Sequence, residues 1–499
     1  MENASYARVR LESTAYSSKL GIGIMSFVYV FGLIACLLVG KSGPNVFDRS
    51  PPDVVETSTL NVTWYGKIDG MEPMHQVLYL HMRLKKPDTI SGAVSYEQRY
   101  AVSSYASEEP IDDESCSDGC TSDCDGGGQC VQLTDDVFTR RMIKCPADEQ
   151  WCGWTKLLTE DFVEYGAYYM QVDMAEPQMF STEPYFTLGF EIVYITKEFT
   201  NFQMVWHYGW IVVVLSFMFL PKIGFFYEML QLHQNFWSRQ QARVGVLLLS
   251  LLFFNNVFFV AQIFSPFPRF FFSLYVVFMA SFLAIMMFFW LELFGDLAAG
   301  NMQGTDTAQE WERNRKKTLI EYLPKLVVVG LIWIVTILLY IYVRVQQTGD
   351  PSYSTYDDLS TYTSVKVIGL LLSAVYFIWL GVLIFRSFAH IYQMNPEYIF
   401  VMVITLITIV GATVAVFTGA LAPDQHGSKV FAYFYGMFNI YVLLLAFCYT
   451  PAGAMYGDIN TNENVEMIAE ESHREAPAGG KYDDTAFTIV ESNNKHTTL

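Results

Sequence analysis

The sequence predicts an α-helical polytopic membrane protein, one N-terminal span plus a seven-helix bundle, carrying an all-β sandwich domain on the luminal or extracellular side. Three observations predict it. Long uncharged apolar runs recur in a chain of 499 residues that is 52% hydrophobic and 16% charged, where a soluble domain carries about a quarter charged residues. Apolar residues alternate with period two in parts of the segment 41–203. Lysine and arginine crowd one alternating set of loops.

The runs define the spans. About 20 residues rising ~1.5 Å each cross the ~30 Å hydrocarbon core. The first run is Leu20–Val39, preceded by a cytosolic N-terminus, 1–19. It is longer than the ~7–15 residues of a signal-peptide core, and no Ala-x-Ala-like site follows. It therefore reads as a retained signal anchor over 20–40, although "LLVGKSG" leaves room for cleavage. Seven more runs make a bundle over 204–450: Met204–Phe226, Val244–Phe264, Phe270–Phe294, Leu326–Tyr342, Val365–Phe385, Tyr398–Leu421 and Val430–Tyr449.

Basic residues near the spans set the orientation. Arg8, Arg10 and Lys19 precede the first span, and Lys222, Arg239 and Arg243 lie between the second and third. Arg313, Arg315, Lys316, Lys317 and Lys325 lie between the fourth and fifth, and Arg386 follows the sixth. The other side has only Arg269, Arg344, Lys366 and Lys429. Both termini are thus expected in the cytosol, and 41–203 on the far side. Asn61 opens a glycosylation sequon in that far segment. Six of the eight cysteines, Cys116, Cys120, Cys124, Cys130, Cys145 and Cys152, fall there too. An even count in an oxidising compartment reads as disulfides, in a connectivity left open.

Within that segment "VLYLHMRL" sets Leu78, Leu80, Met82 and Leu84 on one face. "YFTLGFEIVYIT" does the same with Phe186, Leu188, Phe190, Ile192 and Tyr194. Such alternation marks half-buried strands, and a small antiparallel sandwich feeding directly into the second span is the simplest arrangement. The acidic loop 112–130 interrupts it. Asp123-Cys124-Asp125-Gly126 resembles the start of a calcium loop but lacks the closing glutamate, and zinc is the other metal the cysteine spacing raises. The loop is read as disulfide-pinned and exposed, with no metal or cofactor expected.

The net charge of −19 sits mainly in the far-side segment and in the tail after Tyr456, which argues against a nucleic-acid partner. No catalytic set emerges: His-Glu-x-x-His, Gly-x-Ser-x-Gly and phosphate-cradling loops are missing, and no enzymatic activity is expected. His207, among Trp206, Tyr208 and Trp210, reads as part of an interfacial aromatic belt. Glu292, near the cytosolic end of its span, reads as solvated.

Amides inside spans are the candidate site residues. Asn255, Asn256 and Gln262 fall in the third span and Asn439 in the eighth. A polar group left without a partner in lipid costs several kcal/mol, so these side chains face the bundle interior. They either line a cavity or tie helices together. Gly436 lies one turn from Asn439 and is expected to let the neighbouring backbone approach; Tyr435 sits four residues before Asn439.

In the cytosolic pieces, Asn395-Pro396-Glu397-Tyr398 matches a sorting pattern but also makes a good helix start. The segment "ERNRKK" fits an anionic-lipid contact. The tail, 451–499, is polar and is expected to be disordered. Tyr456 to Ile459 fits an endocytic adaptor signal, and Thr497 to Leu499 fits a carboxylate-terminated ligand of a PDZ groove.

"YGMFNIYVLLLAFCYTP", Tyr435–Pro451, with Tyr456 after it, resembles the last-helix pattern shared by the Wntless and transmembrane protein 181 families. Tyr435, Gly436, Asn439, Tyr441, Leu445, Phe447, Tyr449 and Pro451 match. "YLPKLVVVGLIWIVTILLYIY" and "VKVIGLLLSAVYFIWLGVLIFRS" are similar to two further spans of the transmembrane protein 181 family, and Asn255-Asn256 falls where that family has an Asn-Asp pair. The resemblance covers about 240–456 and is loose over the far-side half. It implies a Golgi-dynamics-type β-sandwich and a bundle somewhat like a G-protein-coupled receptor, in the Golgi, secretory path or plasma membrane. Cys145 and Cys152 resemble a pair the family has, whereas the loop 116–130 looks like an addition. No Wntless ligand-binding motif is reproduced. The expected function is a receptor or sorting protein that binds a luminal or extracellular ligand, protein or lipid, through its β-domain. Signalling through a G protein and transport through the bundle are the alternatives.

Overall fold

The structure, a computed structural model, describes residues 19–57, 62–86, 92–108, 131–134, 139–175, 186–221, 224–231, 239–299, 315–349, 361–394, 396–417 and 427–450. It is a helical membrane protein with an antiparallel β-domain inserted after its first helix.

The β-domain is two facing sheets. One contains β1 (Phe47–Arg49), β2 (Asp53–Thr57), β4 (Val77–Leu84), β8 (Thr155–Asp161) and β10 (Phe186–Ile195), in the order β1-β10-β4-β8, with β2 also on β10. The other contains β3 (Val62–Asp69), β5 (Val94–Ser107), β6 (Val131–Thr134), β7 (Thr139–Cys145) and β9 (Ala167–Ala175), in the order β3-β9-β5-β6, with β7 also on β5. Leu78, Leu80, Met82 and Leu84 of β4 and Leu188, Phe190 and Ile192 of β10 fill the core between the sheets. This is the face that the alternation selects, since successive side chains point to opposite sides of a strand. Trp64 stacks on Phe190 with ring centroids 4.5 Å apart, and its indole N–H donates to Asp53 at 2.7 Å. Cys145 and Cys152 form a disulfide that closes the turn after β7.

The helices are α1 (Lys19–Ser42), α2 (Lys197–Phe219), α3 (Phe225–Gln231), α4 (Arg239–Phe254), α5 (Phe259–Phe264), α6 (Pro268–Ala298), α7 (Arg315–Gly349), α8 (Thr361–Ala389), α9 (Pro396–Phe417) and α10 (Ser428–Tyr449). Eight segments are long and apolar enough to span a bilayer, α4 and α5 together making one of them. Two differ from a continuous reading of the sequence. The second span begins at Lys197, not Met204, because the Thr196 hydroxyl caps it by accepting from the Phe199 amide. It ends before Pro221, which has no N–H to continue the helix. The third span is broken between α4 and α5.

The β-domain is tied to the membrane where the chain enters and leaves it. β1 pairs with the end of β10, so the exits of α1 and α2 lie side by side. There Thr196 donates its hydroxyl to the Asn45 carbonyl at 2.6 Å and its amide to the Val46 carbonyl at 2.9 Å.

α10 is the central helix: 72% of its apolar window is buried, against 6% for α7, which leaves α7 at the lipid-facing edge. α1 lies antiparallel along α10 through small residues spaced four apart, Gly32, Cys36 and Gly40, which let helices without a hydrophobic drive between them approach closely. A Cβ on Gly40 would sit 2.6 Å from the Lys429 Cα, and one on Gly436 would sit 2.2 Å from the Cys36 sulfur. Tyr29 of α1 shares a hydrogen bond of 2.7 Å with Thr408 of α9. Gly40→Leu is expected to destabilise the detergent-solubilised protein by about 1–3 kcal/mol or more, the usual cost of overpacking. Gly23→Leu, where a Cβ meets nothing within 4 Å, should leave thermal melting unchanged.

Candidate functional site

The break in the third span is where the sequence and the bilayer conflict most directly. A helix satisfies its own backbone, so opening one inside hydrocarbon strands N–H and C=O groups that only nearby protein can satisfy. Asn256 takes φ 51°, a left-handed conformation that asparagine tolerates better than most residues. α4 therefore stops at Phe254, and α5 starts at Phe259.

Side chains of α2 repair the gap. His207 is buried and donates to the Asn255 carbonyl. Tyr208 donates its hydroxyl to the Val257 carbonyl at 3.4 Å and accepts from the Val260 amide at 3.3 Å. His207 thus does not belong to the aromatic belt expected at the interface. It turns inward because the carbonyl freed at the break needs a donor, and its ring packs on Tyr435, Phe259 and Phe431 at 4.7–5.4 Å.

The two buried amides close on each other. Asn255 Nδ2 donates to Asn439 Oδ1 at 2.7 Å, and Asn439 Nδ2 donates to Asn255 Oδ1 at 2.8 Å. Each also donates to the carbonyl four residues earlier in its own helix, Leu251 at 3.1 Å and Tyr435 at 2.8 Å. Each amide therefore has hydrogen-bond partners on both atoms. Asn256 donates to Gln262 Oε1 at 3.1 Å, bracing the break from within. Tyr435 shares a hydrogen bond with Tyr275 of α6, and Tyr441 one of 2.9 Å with Thr405 of α9. Gly436 and Asn439 do not serve the same neighbour. Gly436 faces Cys36 of α1, while Asn439 reaches α4, because residues three apart on a helix differ by about 60° in direction.

At the other end of α4 lies a buried ionic cluster. Glu292 of α6, expected to be solvated, is 2% exposed, accepts from Arg243 of α4 at 2.6 Å and forms an ion pair with Lys325 of α7 at 2.7 Å. Arg243 also pairs with Asp296 at 2.9 Å and donates to the Tyr322 hydroxyl. A Cβ on Gly295 would approach Lys325 Nζ to 3.0 Å, so glycine leaves room for the lysine beside the carboxylates. Two cations balance two anions, the arrangement under which charge is tolerated at such depth. Glu292 and Asp296, four apart and so on one helix face, were the available sequence signal.

The third feature is the seam between β-domain and bundle. Gln76 Nε2 donates to Thr200 Oγ1 at 2.7 Å and Gln203 Oε1 at 2.9 Å. Lys197 pairs with Glu72 at 2.5 Å, Arg344 of α7 with Asp161, and Arg269 of α6 with Glu160 at 3.9 Å. Between the domains is a cavity of about 390 Å³. Its walls are Pro73 and Gln76, the turn Phe162–Glu164, and the end of α5 running into α6, 262–266 and Pro268. Among the described residues, the non-glycine positions with positive φ are Gln76, Phe162 and Asn256. The first two line the cavity, joined by a 2.6 Å hydrogen bond from the Phe162 amide to the Gln76 carbonyl. The third holds Gln262, which also lines it.

Glu160 sits beside this seam. Burial pushes its carboxyl up from 4.5 to about 7; Arg269 opposes the shift, and the neighbouring Asp161 and Glu164 add to it.

Asn61, Cys116, Cys120, Cys124, Cys130, Tyr456, Ile459, Thr497 and Leu499 lie outside the described residues, as does Asn395, although Pro396 opens α9.

Residues 196–453, just over half of the chain, match the family model described as Wntless-like, transmembrane domain. The chain belongs to this Wntless-like family. It is 28% identical over 262 residues to transmembrane protein 181 of Homo sapiens, a match covering 49% of this chain and 51% of the relative. The matched region thus spans about half the length of that relative. The Wntless-like bundle contains the broken span, the amide pair and the ionic cluster.

Two outcomes follow. Asn255→Leu and Asn439→Leu are each expected to cost about 1–3 kcal/mol by leaving a buried amide without its partner. The double variant should melt well above the sum of the two losses, and strict additivity would refute the pair as a unit. For Glu160, the folded state keeps a proton that the unfolded chain releases between pH 4.5 and about 7, so burying its carboxylate carries the full penalty only above that window. Glu160→Gln should therefore be more stable than wild type at pH 8, by roughly 1–3 kcal/mol, with the gap closing towards pH 5. The comparison must be between these two proteins, since His81, pushed down to about 4 by burial and by Lys156 and Arg49, favours the opposite trend.

Proposed function

We propose that this Wntless-like protein is a non-enzymatic receptor or sorting protein of the secretory path or cell surface, which binds its ligand in the seam between β-domain and bundle. The observation that carries this reading is that Gln76 and Phe162, both held at positive φ, line one cavity, while Asn256, the third such residue, donates to Gln262 in its wall. Non-glycine residues held at positive φ cost of order 1–3 kcal/mol each and gather where a binding surface requires them. The cavity is mainly apolar, with the amide residues Gln76 and Gln262 in its wall, a composition that suits a small ligand.

In this reading the β-sandwich, of Golgi-dynamics type, lies on the luminal or extracellular side and both termini are cytosolic. The basic loops and the sequon at Asn61 support that orientation. Tail signals at Tyr456 and at Thr497–Leu499 would engage sorting adaptors or a PDZ domain.

The test is native mass spectrometry of the full chain released from lipid nanodiscs. Wild type should retain a bound species that Ile263→Trp, which fills the cavity, excludes while melting normally. Equal occupancy in both proteins, or an empty wild type, defeats the proposal.

A further inference from the structure

The chemistry of the cavity walls goes further than its existence. Its lining is apolar on most sides: Pro73, Phe162, Val163, Ile263 and Phe264, with further prolines in the α5–α6 connection. Gln76 and Gln262 contribute amides. Glu164 is the one charged side chain among the described residues that line it, and it is exposed at the mouth.

Nothing described neutralises that charge. In the seam Arg344 pairs with Asp161, and the exposed Arg269 lies 3.9 Å from Glu160; Glu164 makes no ion pair with a described residue. Its backbone amide donates to the Tyr168 hydroxyl at 2.9 Å, which fixes the turn. An anionic ligand head would meet a carboxylate with no lysine, arginine or histidine among the described lining residues to offset it. A cationic head would meet that carboxylate together with the faces of Phe162 and Phe264, which attract positive charge.

We infer that the ligand of this cavity is a cationic amphiphile: an apolar chain seated against the prolines and phenylalanines, with one amine head at Glu164. The assignment rests on the seam cavity being the ligand site. The amide pair Gln76 and Gln262 would accept from the amine N–H groups or bind a polar linkage just below the head.

The experiment uses the full chain in neutral-lipid nanodiscs and three diazirine-bearing probes of equal chain length: a decylamine, a decanol and a decanoate. Cross-linked peptides are mapped by mass spectrometry. The amine should label residues 162–164 and 263–268 with a roughly two- to fivefold preference over the other two, the scale of one exposed ion pair. Glu164→Gln, an isosteric change at an exposed position, should remove the preference while leaving labelling by the alcohol unchanged. If all three probes label the cavity equally, or the preference survives Glu164→Gln, the cationic assignment is wrong and the cavity remains a ligand site. If no probe labels these residues, or labelling is undiminished in Ile263→Trp, the site itself is refuted.

Discussion

Inside hydrocarbon a backbone amide or carbonyl has no water to turn to, and the architecture of this protein follows from how that constraint is met at one place. The third span opens at Asn255–Phe258, and the exposed groups are taken up by His207 and Tyr208 from α2. Without those two side chains a helix end buried in lipid would cost several kcal/mol per group. With them, α5 and the turn after it are held beneath the β-domain, where they form one wall of the seam cavity. The same repair brings the helix that supports the β-domain, α2, against the helix that breaks.

α4 is thereby fixed at both ends by polar chemistry of different kinds. At the break, amides meet amides, and the pairing with Asn439 is neutral. At the opposite end Arg243 reaches two carboxylates of α6, and Lys325 of α7 reaches one of them. A neutral pair gives direction with little desolvation cost. A charged cluster links three helices, but any member removed leaves an uncompensated charge behind. The peripheral α7, with little of its surface buried, is joined to the rest by Lys325 and the Arg344–Asp161 contact and by hydrogen bonds of Trp333 and Tyr340 to Ser281 and Ser273 of α6.

Local pattern made part of this legible in the sequence. Period-two alternation placed Leu78, Leu80, Met82 and Leu84 on a core face, and it needs no partner to be read. Apolar length marked the spans, and the cost of polarity in lipid directed Asn255, Asn256 and Asn439 inward. What pattern does not contain is the partner. Asn255 and Asn439 stand 184 residues apart, and a preference for the interior does not say which interior amide will be met. His207 departs from its sequence pattern for the same reason: its neighbours in sequence are belt aromatics, whereas its role comes from a carbonyl on another helix. Glu292 near a span end carries the signature of a solvated residue until Arg243 and Lys325 are brought beside it. The loss of the helix at Asn256 had a local cue in two successive asparagines of low helix propensity, but a long apolar run outweighed it.

The seam and the central helix are closer in hydrogen-bond terms than in sequence. Gln262 lines the cavity and accepts from Asn256; the adjoining residue, Asn255, bonds to Asn439 near the middle of α10. α10 in turn packs along α1 through Gly436 and Cys36, and α1 runs into β1, which pairs with β10 beside the start of α2. The path closes on itself: cavity wall, broken helix, central helix, first helix, β-domain, cavity wall. Each joint is an amide hydrogen bond, a close backbone approach or a strand pair. A β-domain held only by its two chain connections would move against the bundle as independent domains do. Here the loop of contacts returns to the bundle at Gln76, Asp161 and Glu72. The cavity is accordingly a property of both domains together, and neither the sandwich nor the helices alone would carry it.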